Sequence, residues 1–252
     1  MSSQVKAYAA TSATEPLGPH PITRRDLRPN DVEIEILYCG VCHSDLHTAR
    51  NDWGWTKYPI VPGHEIIGQV LSVGAGVTKY KAGDRVGVGC MVDACGHCEA
   101  CVHGHEQHCR DGATFTYGGK DRIDGSPTHG GYSERVVVKQ DFVVRVPDTI
   151  DLKGAAPLLC AGITTWSPLR NANIGPGSTV AVVGLGGLGH MAIKLAKALG
   201  AEVTLITRSP GKEADAKRLG ADRVVLSSDE RQMAEMAGRF HLISDTVPYV
   251  HD

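Results

Sequence analysis

Apolar and polar residues alternate along short stretches in the first part of the chain, with the period of two that is typical of strands with one buried face. Val32-Glu33-Ile34-Glu35-Ile36 is the clearest example, within residues 32–38, and residues 5–10 have a similar pattern. Further strands are predicted at 66–73, 85–88, 132–138 and 142–146, the first of them broken at Gly68, and a short helix at 45–49. Many short strands with glycine-rich turns indicate a small β-barrel-like domain.

The pattern changes near Pro147, after which longer apolar segments predominate. Residues 152–169 are rich in alanine and predict one helix. The remainder predicts strands at 178–183, 202–207, 223–226 and 241–245, with helices at 189–199, 212–219 and 230–237. Strands that alternate with helices form parallel sheets. Only about four strands follow residue 178, whereas a six-stranded dinucleotide-binding fold needs two mononucleotide-binding halves, so we expect an incomplete sheet.

Charge and composition exclude several classes of function. The chain has 252 residues and a formal net charge of −2, which gives no indication of binding to nucleic acid or to an acidic membrane surface. No apolar run approaches the roughly 18 residues that span a bilayer, so no membrane association is expected. The N-terminus lacks the charged and apolar regions of a signal peptide, which makes the cytoplasm the expected location. There, eight cysteines indicate metal binding rather than disulfide bonds.

The stretch from Cys42 to Glu65 contains a cysteine and a histidine, His64, in the vicinity of carboxylates. Catalytic zinc sites use three protein ligands, among them Cys and His, and keep a fourth position open. Cys160, on an apolar stretch further along the chain, is the candidate for the third ligand. The alternative is that Cys42 is a small core residue and His64 a loop histidine. The other motifs of the chain favour the metal site.

Four cysteines with short spacings mark a lobe at about residues 90–112. They are Cys95, Cys98, Cys101 and Cys109. Four thiolates complete a tetrahedral shell around zinc and leave no open position, so this site is predicted to be structural. The main alternative is an iron–sulfur cluster, which the spacing also permits.

A glycine-rich turn follows the predicted strand at 178–183 and opens the next predicted helix. It consists of Gly184, Leu185, Gly186, Gly187, Leu188 and Gly189, which fits the pattern G-x-G-x-x-G. In this context the glycines allow a tight turn, close approach to a pyrophosphate and close helix–strand packing. The helix N-terminus would then favour the phosphate charge. The turn therefore predicts a dinucleotide site.

The residues at the end of the next strand indicate which dinucleotide binds. NAD enzymes have an acidic residue there for the ribose 2′-hydroxyl, whereas NADP enzymes have a cation near the 2′-phosphate. This chain has Thr207, Arg208 and Ser209, followed by Lys212. Hydroxyls and cations without an acid favour NADP(H). The alternative is that the two cations are ordinary solvated charges.

The segment Gly63-His64-Glu65-x2-Gly68-x5-Gly74-x2-Val77 resembles the signature of zinc-containing alcohol dehydrogenases of the medium-chain dehydrogenase/reductase superfamily. With the four-cysteine lobe, the glycine-rich turn and residues 207–209, the whole chain is most similar to the cinnamyl alcohol dehydrogenase branch and its NADP-dependent aldehyde reductases. The resemblance implies an α/β protein with a GroES-like β-barrel catalytic domain at 1–153. It also implies a Rossmann domain, a doubly wound parallel sheet that is C-terminally truncated, at 154–252.

The resemblance also implies roles for individual residues. Cys42, His64 and Cys160 match the catalytic zinc ligands, and Glu65 matches a carboxylate that can approach the metal. Asp45 would orient His64 by accepting its other N–H. The remaining matches are Ser44 and His47 in a proton relay, Thr164 and Thr246 near the cofactor, and 207–212 in the adenosine phosphate pocket. Trp53, Trp55, Tyr58 and Phe115 are candidates for an apolar substrate pocket, although plain packing explains each of them equally well.

The predicted function is therefore hydride transfer between NADP(H) and a primary alcohol or aldehyde, mainly as an aldehyde reductase with two Zn²⁺ per chain. The alternatives are a polyol dehydrogenase of the same superfamily and an inactive zinc- and nucleotide-binding remnant. The expected partner is a small alcohol or aldehyde. Full-length members of the family are expected to be homodimers, an expectation that we do not extend to this shorter chain. With the nicotinamide side of its sheet missing, the chain as given is expected to be a poor enzyme.

Overall fold

The structure, a computed structural model, describes residues 3–251. The chain divides into two compact units, the first ending at Cys160 and the second beginning at Ala161. No helix among the described residues is long and apolar enough to span a bilayer.

The first unit is made mainly of short strands. Its strands are β1 (Ser3–Val5), β2 (Tyr8–Ala9), β3 (Gly18–Pro19), β4 (Ile22–Arg24), β5 (Asp31–Cys39), β6 (Ile66–Val73), β7 (Arg85–Val88), β8 (Met91–Asp93), β9 (Thr114–Phe115), β10 (Arg135–Lys139) and β11 (Val144–Arg145). Its helices are α1 (His43–Arg50), α2 (Glu99–Val102) and α3 (Leu152–Ala155), with 3-10 turns at Glu106–His108, Gln140–Phe142 and Ala156–Leu159.

A five-stranded antiparallel sheet forms the centre of the first unit, in the order β10-β5-β6-β7-β11. The alternation in β5 places Val32 and Ile34 in the core, both completely buried, and leaves Glu35 exposed. Ile66 and Val86 of the neighbouring strands complete this cluster. Two-stranded sheets β1-β4, β2-β3 and β8-β9 lie around it. The period of two in the sequence thus reports the buried face of the sheet.

Gly68 does not break β6, contrary to the prediction. The strand continues through it and pairs it with Ile36 on one side and Val86 on the other. A β-carbon at this position would lie 2.2 Å from the carbonyl oxygen of Glu35 and 2.5 Å from Cγ2 of Ile34. The glycine is therefore there to permit the close approach of β5 and β6.

Substitution of Gly68 by alanine is expected to lower the free energy of unfolding by about 1–3 kcal/mol, the usual effect of overpacking a rigid site. The added methyl group would have to displace backbone rather than a flexible side chain. Urea denaturation of Gly68→Ala and of Gly18→Ala checks this, because a β-carbon on Gly18 has no atom within 4 Å. The control should change stability by less than about 0.5 kcal/mol, and equal effects of the two substitutions would contradict the packing argument.

The second unit alternates strands and helices. Its elements in chain order are α4 (Ala161–Asn171), β12 (Thr179–Val183), α5 (Gly187–Ala198), β13 (Glu202–Thr207), α6 (Glu213–Leu219), β14 (Arg223–Leu226), α7 (Glu230–Glu235) and β15 (Leu242–Asp245), with a 3-10 turn at Pro210–Lys212. The four strands form a parallel sheet in the order β14-β13-β12-β15. The sequence of predicted strands and helices after residue 178 is confirmed.

Both faces of this sheet are buried. Val180 and Val182 of β12 pack with residues of α4, α5 and α6 on one face. Ala181 between them packs on the other face with Met236, which follows α7. This arrangement explains why β12 is an uninterrupted apolar run rather than an alternating one. The strand order reverses between β12 and β15, and ligands of such sheets bind outside the carboxyl ends of the strands at that point.

The single helix predicted at 152–169 is wrong. Instead, α3 is followed by the 3-10 turn Ala156–Leu159, and α4 begins at Ala161. Pro157 lies in that turn, where its missing N–H removes a helical hydrogen bond and its ring crowds the preceding turn, so a break in the helix is favoured there. Cys160 has φ −127° and ψ −75°, outside the helical region. The predicted metal ligand therefore stands at the interruption.

Candidate functional site

Cys42 is placed by the start of α1. It is the N-cap residue, and its Sγ accepts a hydrogen bond from the backbone N–H of Ser44 at 3.4 Å. The carboxylate of Asp45 accepts the backbone N–H of Cys42 at 2.9 Å, which completes a capping box. The partial positive charge of a helix N-terminus favours a thiolate at this position.

His64 and Glu65 lie in the segment that leads into β6, and both are buried. Gly63 before them has φ +101°, a left-handed conformation that favours glycine. A β-carbon there would lie 2.8 Å from Sγ of Cys39. Gly40 is equally restricted, because a β-carbon on it would overlap the Glu65 carboxylate. Two glycines therefore make room for the donors.

The structure brings the predicted ligands together. The Sγ atoms of Cys42 and Cys160 are 3.8 Å apart, although 118 positions separate these residues. Their sulfurs, a ring nitrogen of His64 and a carboxylate oxygen of Glu65 all lie within 4.8 Å of one another. Two sulfurs bound tetrahedrally at about 2.3 Å from one zinc ion would be about 3.8 Å apart, so the observed pair fits that ion.

Two further observations support a cation at this cluster. The Nε2 atom of His64 is buried and has no hydrogen-bond partner among the described residues, an arrangement that is costly unless something binds it. The Cys160 thiol and burial raise the pKa of Cys42 to about 11, and burial raises the pKa of Glu65 to about 7. A divalent cation would offset the cost of bringing these negative charges together, because thiolates are its ligands.

Asp45 does not orient His64 in the way that was predicted. Its Oδ2 accepts from the backbone N–H of Cys42 and from the hydroxyl of Tyr132, both at 2.9 Å. Its Oδ1 accepts from the backbone N–H of Gly63 at 2.9 Å. The prediction of a bond to the imidazole is wrong: within residues 3–251 the Asp45 carboxylate accepts from these three groups and not from His64. The carboxylate joins the two ligand-bearing loops through their backbones.

The imidazole of His64 is supported by an aromatic ring instead. Tyr117 stacks on it with a centroid distance of 5.4 Å and an interplanar angle of 4°. Burial, with the Asp45 charge, raises the pKa of Tyr117, so its phenol stays neutral. Sequence reasoning missed Tyr117 because no short motif links it to His64.

The predicted relay residues Ser44 and His47 both lie on α1, three positions apart and therefore on the same side of the helix. His47 Nδ1 lies 2.8 Å from a carboxylate oxygen of Asp52. Asp52 was not among the predicted residues. Its contact depends on Asn51, whose left-handed φ of +58° ends the helix and turns the chain back.

The aromatic candidates for a substrate pocket fall into two groups. Trp53 lies 5.3 Å from the His47 ring and 5.8 Å from the Trp55 ring, and both indoles are about half exposed. Tyr58 instead donates its hydroxyl to the carbonyl of Ala49 and packs with buried residues. Phe115 is exposed on β9. Of these four aromatic residues, Trp53 alone has a ring contact with a predicted relay residue, His47, and Trp55 stacks on Trp53.

The second predicted metal centre is also assembled. Its four sulfurs, from Cys95, Cys98, Cys101 and Cys109, lie within 4.8 Å of one another, and all eight cysteines of the chain are free of disulfide bonds. Cys101 Sγ is 3.8 Å from that of Cys95 and 3.5 Å from that of Cys98, close to the tetrahedral spacing given above. Four thiolate sulfurs would fill the tetrahedral coordination shell of a zinc ion and leave no open position.

Backbone amides surround these sulfurs. Cys95 Sγ accepts from the N–H of Cys98 at 3.3 Å, and Cys109 Sγ accepts from the N–H of Cys95 at 3.4 Å. The amide of Arg110 donates to Cys98 Sγ at 3.5 Å and lowers the pKa of that thiol. Such donors stabilise thiolates, the form that binds metal. Among the described residues, Ala94 and Phe142 are the only ones besides the cysteines in this lobe's apolar cluster, so the lobe has little core of its own.

In the second unit, the glycine-rich turn joins β12 to α5, the arrangement on which the dinucleotide prediction depends. Gly184 has φ +88°. A β-carbon on Gly189 would lie 2.1 Å from the carbonyl oxygen of Gly184. Gly186, the N-cap residue of α5, and Gly187 have open space where a β-carbon would be. Backbone amides at the start of a twelve-residue helix are thus open to a phosphate group. Leu185 packs against the core of the unit, and Leu188 is half-buried in the first turn of the helix.

The end of β13 lies beside this turn, because the amide of Gly184 donates to the carbonyl of Ile206 at 2.9 Å. Thr207 is buried, and its Oγ1 accepts from the N–H of Ser209 at 3.2 Å. Arg208 and Lys212 are exposed. The predicted phosphate-binding side chains therefore follow the strand at the same edge of the sheet as the turn.

The two predicted threonines differ in their surroundings. Thr246 follows β15, and its hydroxyl donates to the carbonyl of Val183 at 2.7 Å. Its Oγ1 would be 3.2 Å from a β-carbon on either Gly184 or Gly189, so it packs against the turn. Thr164 is exposed on α4. Its contact with a cofactor stays a prediction.

Two family models match the chain. The alcohol dehydrogenase GroES-like domain matches residues 28–148, and the zinc-binding dehydrogenase domain matches residues 187–251. These matches confirm the predicted fold class, with the β-rich unit first and the dinucleotide-type sheet second.

Proteins of known sequence and structure are similar over almost the whole chain. An NADP-dependent alcohol dehydrogenase from Mycolicibacterium smegmatis is 57% identical over 246 residues, which is 97% of this chain and 70% of the relative. An aldehyde reductase from Escherichia coli is 53% identical over 99% of this chain and 71% of its own length. The crystal structure of a cinnamyl alcohol dehydrogenase from Helicobacter pylori, complexed with NADP(H), has a TM-score of 0.92 and 42% identity, and this chain covers 71% of it.

Proposed function

The chain belongs to the zinc-binding alcohol dehydrogenases of the medium-chain superfamily, and from this membership we propose that it is an NADP(H)-dependent alcohol dehydrogenase that reduces aldehydes. Its substrate is a small primary alcohol or aldehyde. The proposal includes two zinc ions per chain, one at Cys42, His64 and Cys160 and one at the four-cysteine lobe. The relative named as an aldehyde reductase supports the direction of the reaction.

The observation that carries the proposal is the meeting of Cys42, His64, Glu65 and Cys160. The first three lie on loops flanking α1 and β6, and Cys160 lies at the interruption after α3. The donors are two thiols at the tetrahedral spacing, a buried imidazole nitrogen without another partner, and a carboxylate. Two thiols and an imidazole are three strong zinc ligands, which leaves a fourth position for a substrate. A zinc ion bound there would supply Lewis-acid polarisation of the substrate oxygen.

The side chains of Ser44 and His47 on α1 would transfer the proton of the substrate hydroxyl. With its Nδ1–H donated to Asp52, His47 would present Nε2 as the basic atom. The hydroxyl of Ser44 can pass a proton to this imidazole, because a hydroxyl both donates and accepts. Asp52 fixes the orientation of the ring through its contact with Nδ1. The indole of Trp53 packs beside the ring, with the two ring centroids 5.3 Å apart.

The second unit would hold NADP(H). The amides at the start of α5 would bind the pyrophosphate, and Gly186 and Gly187 leave space for its approach. Thr207, Ser209 and the cations Arg208 and Lys212 would bind the 2′-phosphate. The relative named NADP-dependent and the structure with NADP(H) support this choice of cofactor.

Arg208→Ala is expected to narrow the preference for NADPH over NADH by about tenfold to a hundredfold. The change removes one charge-assisted bond to the 2′-phosphate, worth roughly 1.5–3 kcal/mol. The ratio of kcat/KM for the two cofactors measures it. Arg218→Ala removes another exposed cation of the same unit, one already paired with Asp215 at 2.9 Å, and should leave the ratio unchanged. Wild-type activity with NADH that equals activity with NADPH would contradict the assignment.

The direct test of the proposed function is consumption of NADPH in the presence of a primary aldehyde by purified protein of known zinc content. We expect slow turnover that requires zinc and that stops when a chelator removes it. Faster oxidation of a polyol than of a primary alcohol would favour the polyol dehydrogenase alternative. Nucleotide binding and zinc binding without any turnover would favour the inactive remnant.

A further inference from the structure

Residues Gly130, Gly131 and Tyr132, here called the support segment, belong to neither the ligand motifs nor the nucleotide turn. The segment runs beside residues 61–63, directly before His64. Its three amides donate to the carbonyls of that stretch at 2.8, 2.8 and 3.0 Å. A β-carbon on Gly130 would lie 2.2 Å from the carbonyl oxygen of Pro62, so glycine is needed for this approach.

The pairing of the support segment with residues 61–63 places the side chain of Tyr132 next to Asp45. The Tyr132 hydroxyl donates to Oδ2 of Asp45 at 2.9 Å, the oxygen that also accepts the amide of Cys42. The other oxygen accepts the amide of Gly63. Asp45 is only 4% exposed, and Tyr132 packs against a buried apolar cluster. One buried carboxylate is therefore held by three donors, two of which belong to the loops that carry Cys42 and His64.

We propose that Tyr132 is a positioning residue for the metal centre, which fixes the Asp45 carboxylate and through it the relative position of Cys42 and His64. The inference rests on the proposed function, since it requires zinc at these ligands. Without the hydroxyl, a buried carboxylate oxygen loses one of its two donors, and the carboxylate is free to rotate away from an amide. Loss of such outer partners of metal ligands typically weakens metal affinity by about 10–100-fold.

The experiment measures release of zinc to a chromogenic chelator from the wild type, Tyr132→Phe and Tyr80→Phe. Tyr80 is the matched control, because its hydroxyl donates to the backbone carbonyl of Val143 in the same unit and not to Asp45. A Cys42→Ser variant should bind no zinc at this site, so the release phase that is missing from its time course belongs to this site. We expect Tyr132→Phe to release that ion about 10–100-fold faster, and the zinc of the four-cysteine lobe to leave at the wild-type rate in every variant.

A second readout is the absorption spectrum of the cobalt-substituted protein, whose bands report ligand geometry and should shift in Tyr132→Phe but not in Tyr80→Phe. Equal release rates in Tyr132→Phe and the wild type would overturn the inference, as would equal acceleration of both zinc ions, which indicates general destabilisation. If Tyr132→Phe does not fold, Asp45→Asn replaces it, because an amide offers one acceptor oxygen instead of two. Unchanged release from that variant would overturn the inference too. A wild type without zinc at Cys42 would instead refute the proposed function and this inference with it.

Discussion

Cys42→Ser is expected to lower kcat/KM for aldehyde reduction by about a thousandfold or more. Zinc polarisation of the substrate oxygen is worth several kcal/mol, and each 1.36 kcal/mol changes the rate about tenfold. Serine is a poor ligand for zinc but a good N-cap residue, so α1 should keep its start. Metal analysis should show the loss of about one zinc ion per chain, and steady-state kinetics the loss of turnover.

This substitution separates metal binding from folding and from nucleotide binding. The affinity for NADPH, measured by fluorescence titration, should stay within about twofold of the wild type, because the predicted nucleotide site lies in the second unit. Arg50→Gln changes an exposed residue at the end of α1, outside the ligand set, and should retain most of the activity. If Cys42→Ser keeps activity within about tenfold of the wild type, Cys42 is not a ligand that catalysis needs.

Cys98→Ser is expected to have the largest effect on stability. Structural zinc contributes roughly 10–16 kcal/mol to the folding of small zinc peptides, and this lobe has little other core. A loss of even about 5 kcal/mol would lower the unfolding temperature by about 10–20 °C in a protein of this size. Thermal unfolding followed by circular dichroism, together with zinc content, measures the effect.

The control for the lobe is His108→Gln, because His108 is exposed and lies outside the four-sulfur cluster. It should keep both zinc ions and the wild-type unfolding temperature. If His108→Gln loses zinc as readily as Cys98→Ser, a histidine has a role in the site that the four-thiol assignment does not include. Iron in the freshly purified protein would support the iron–sulfur alternative instead.

Local motifs made much of the site predictable. The four cysteines of the lobe lie within fifteen positions, and backbone amides of the same stretch donate to their sulfurs. The spacing in sequence is therefore enough to predict that the four sulfurs lie close together. The glycine-rich turn is equally local, because it needs only a strand before it and a helix after it. In both cases short-range backbone conformation decides where the side chains lie.

Contacts between distant segments could not be predicted in the same way. The partners of Asp45 include Gly63 and Tyr132, which are 18 and 87 positions away. The family resemblance implies a bond between Asp45 and His64, whereas the fold turns the carboxylate to two backbone amides and a phenol. The contact of Asp52 with His47 likewise depends on a left-handed residue at the end of a helix.

The two classes of unit, the four-cysteine lobe and the glycine-rich turn could all be predicted from the sequence, because each depends on a period or spacing of neighbouring residues. The tertiary structure was needed to show that Cys160 lies at the interruption of a predicted helix and that its sulfur is 3.8 Å from that of Cys42. It also decided that Gly68 lets two strands approach rather than ending one. The physical reason is the same in each case. A glycine, a proline or a buried carboxylate is compatible with several local conformations or partners, and contacts with residues distant in sequence decide which one occurs.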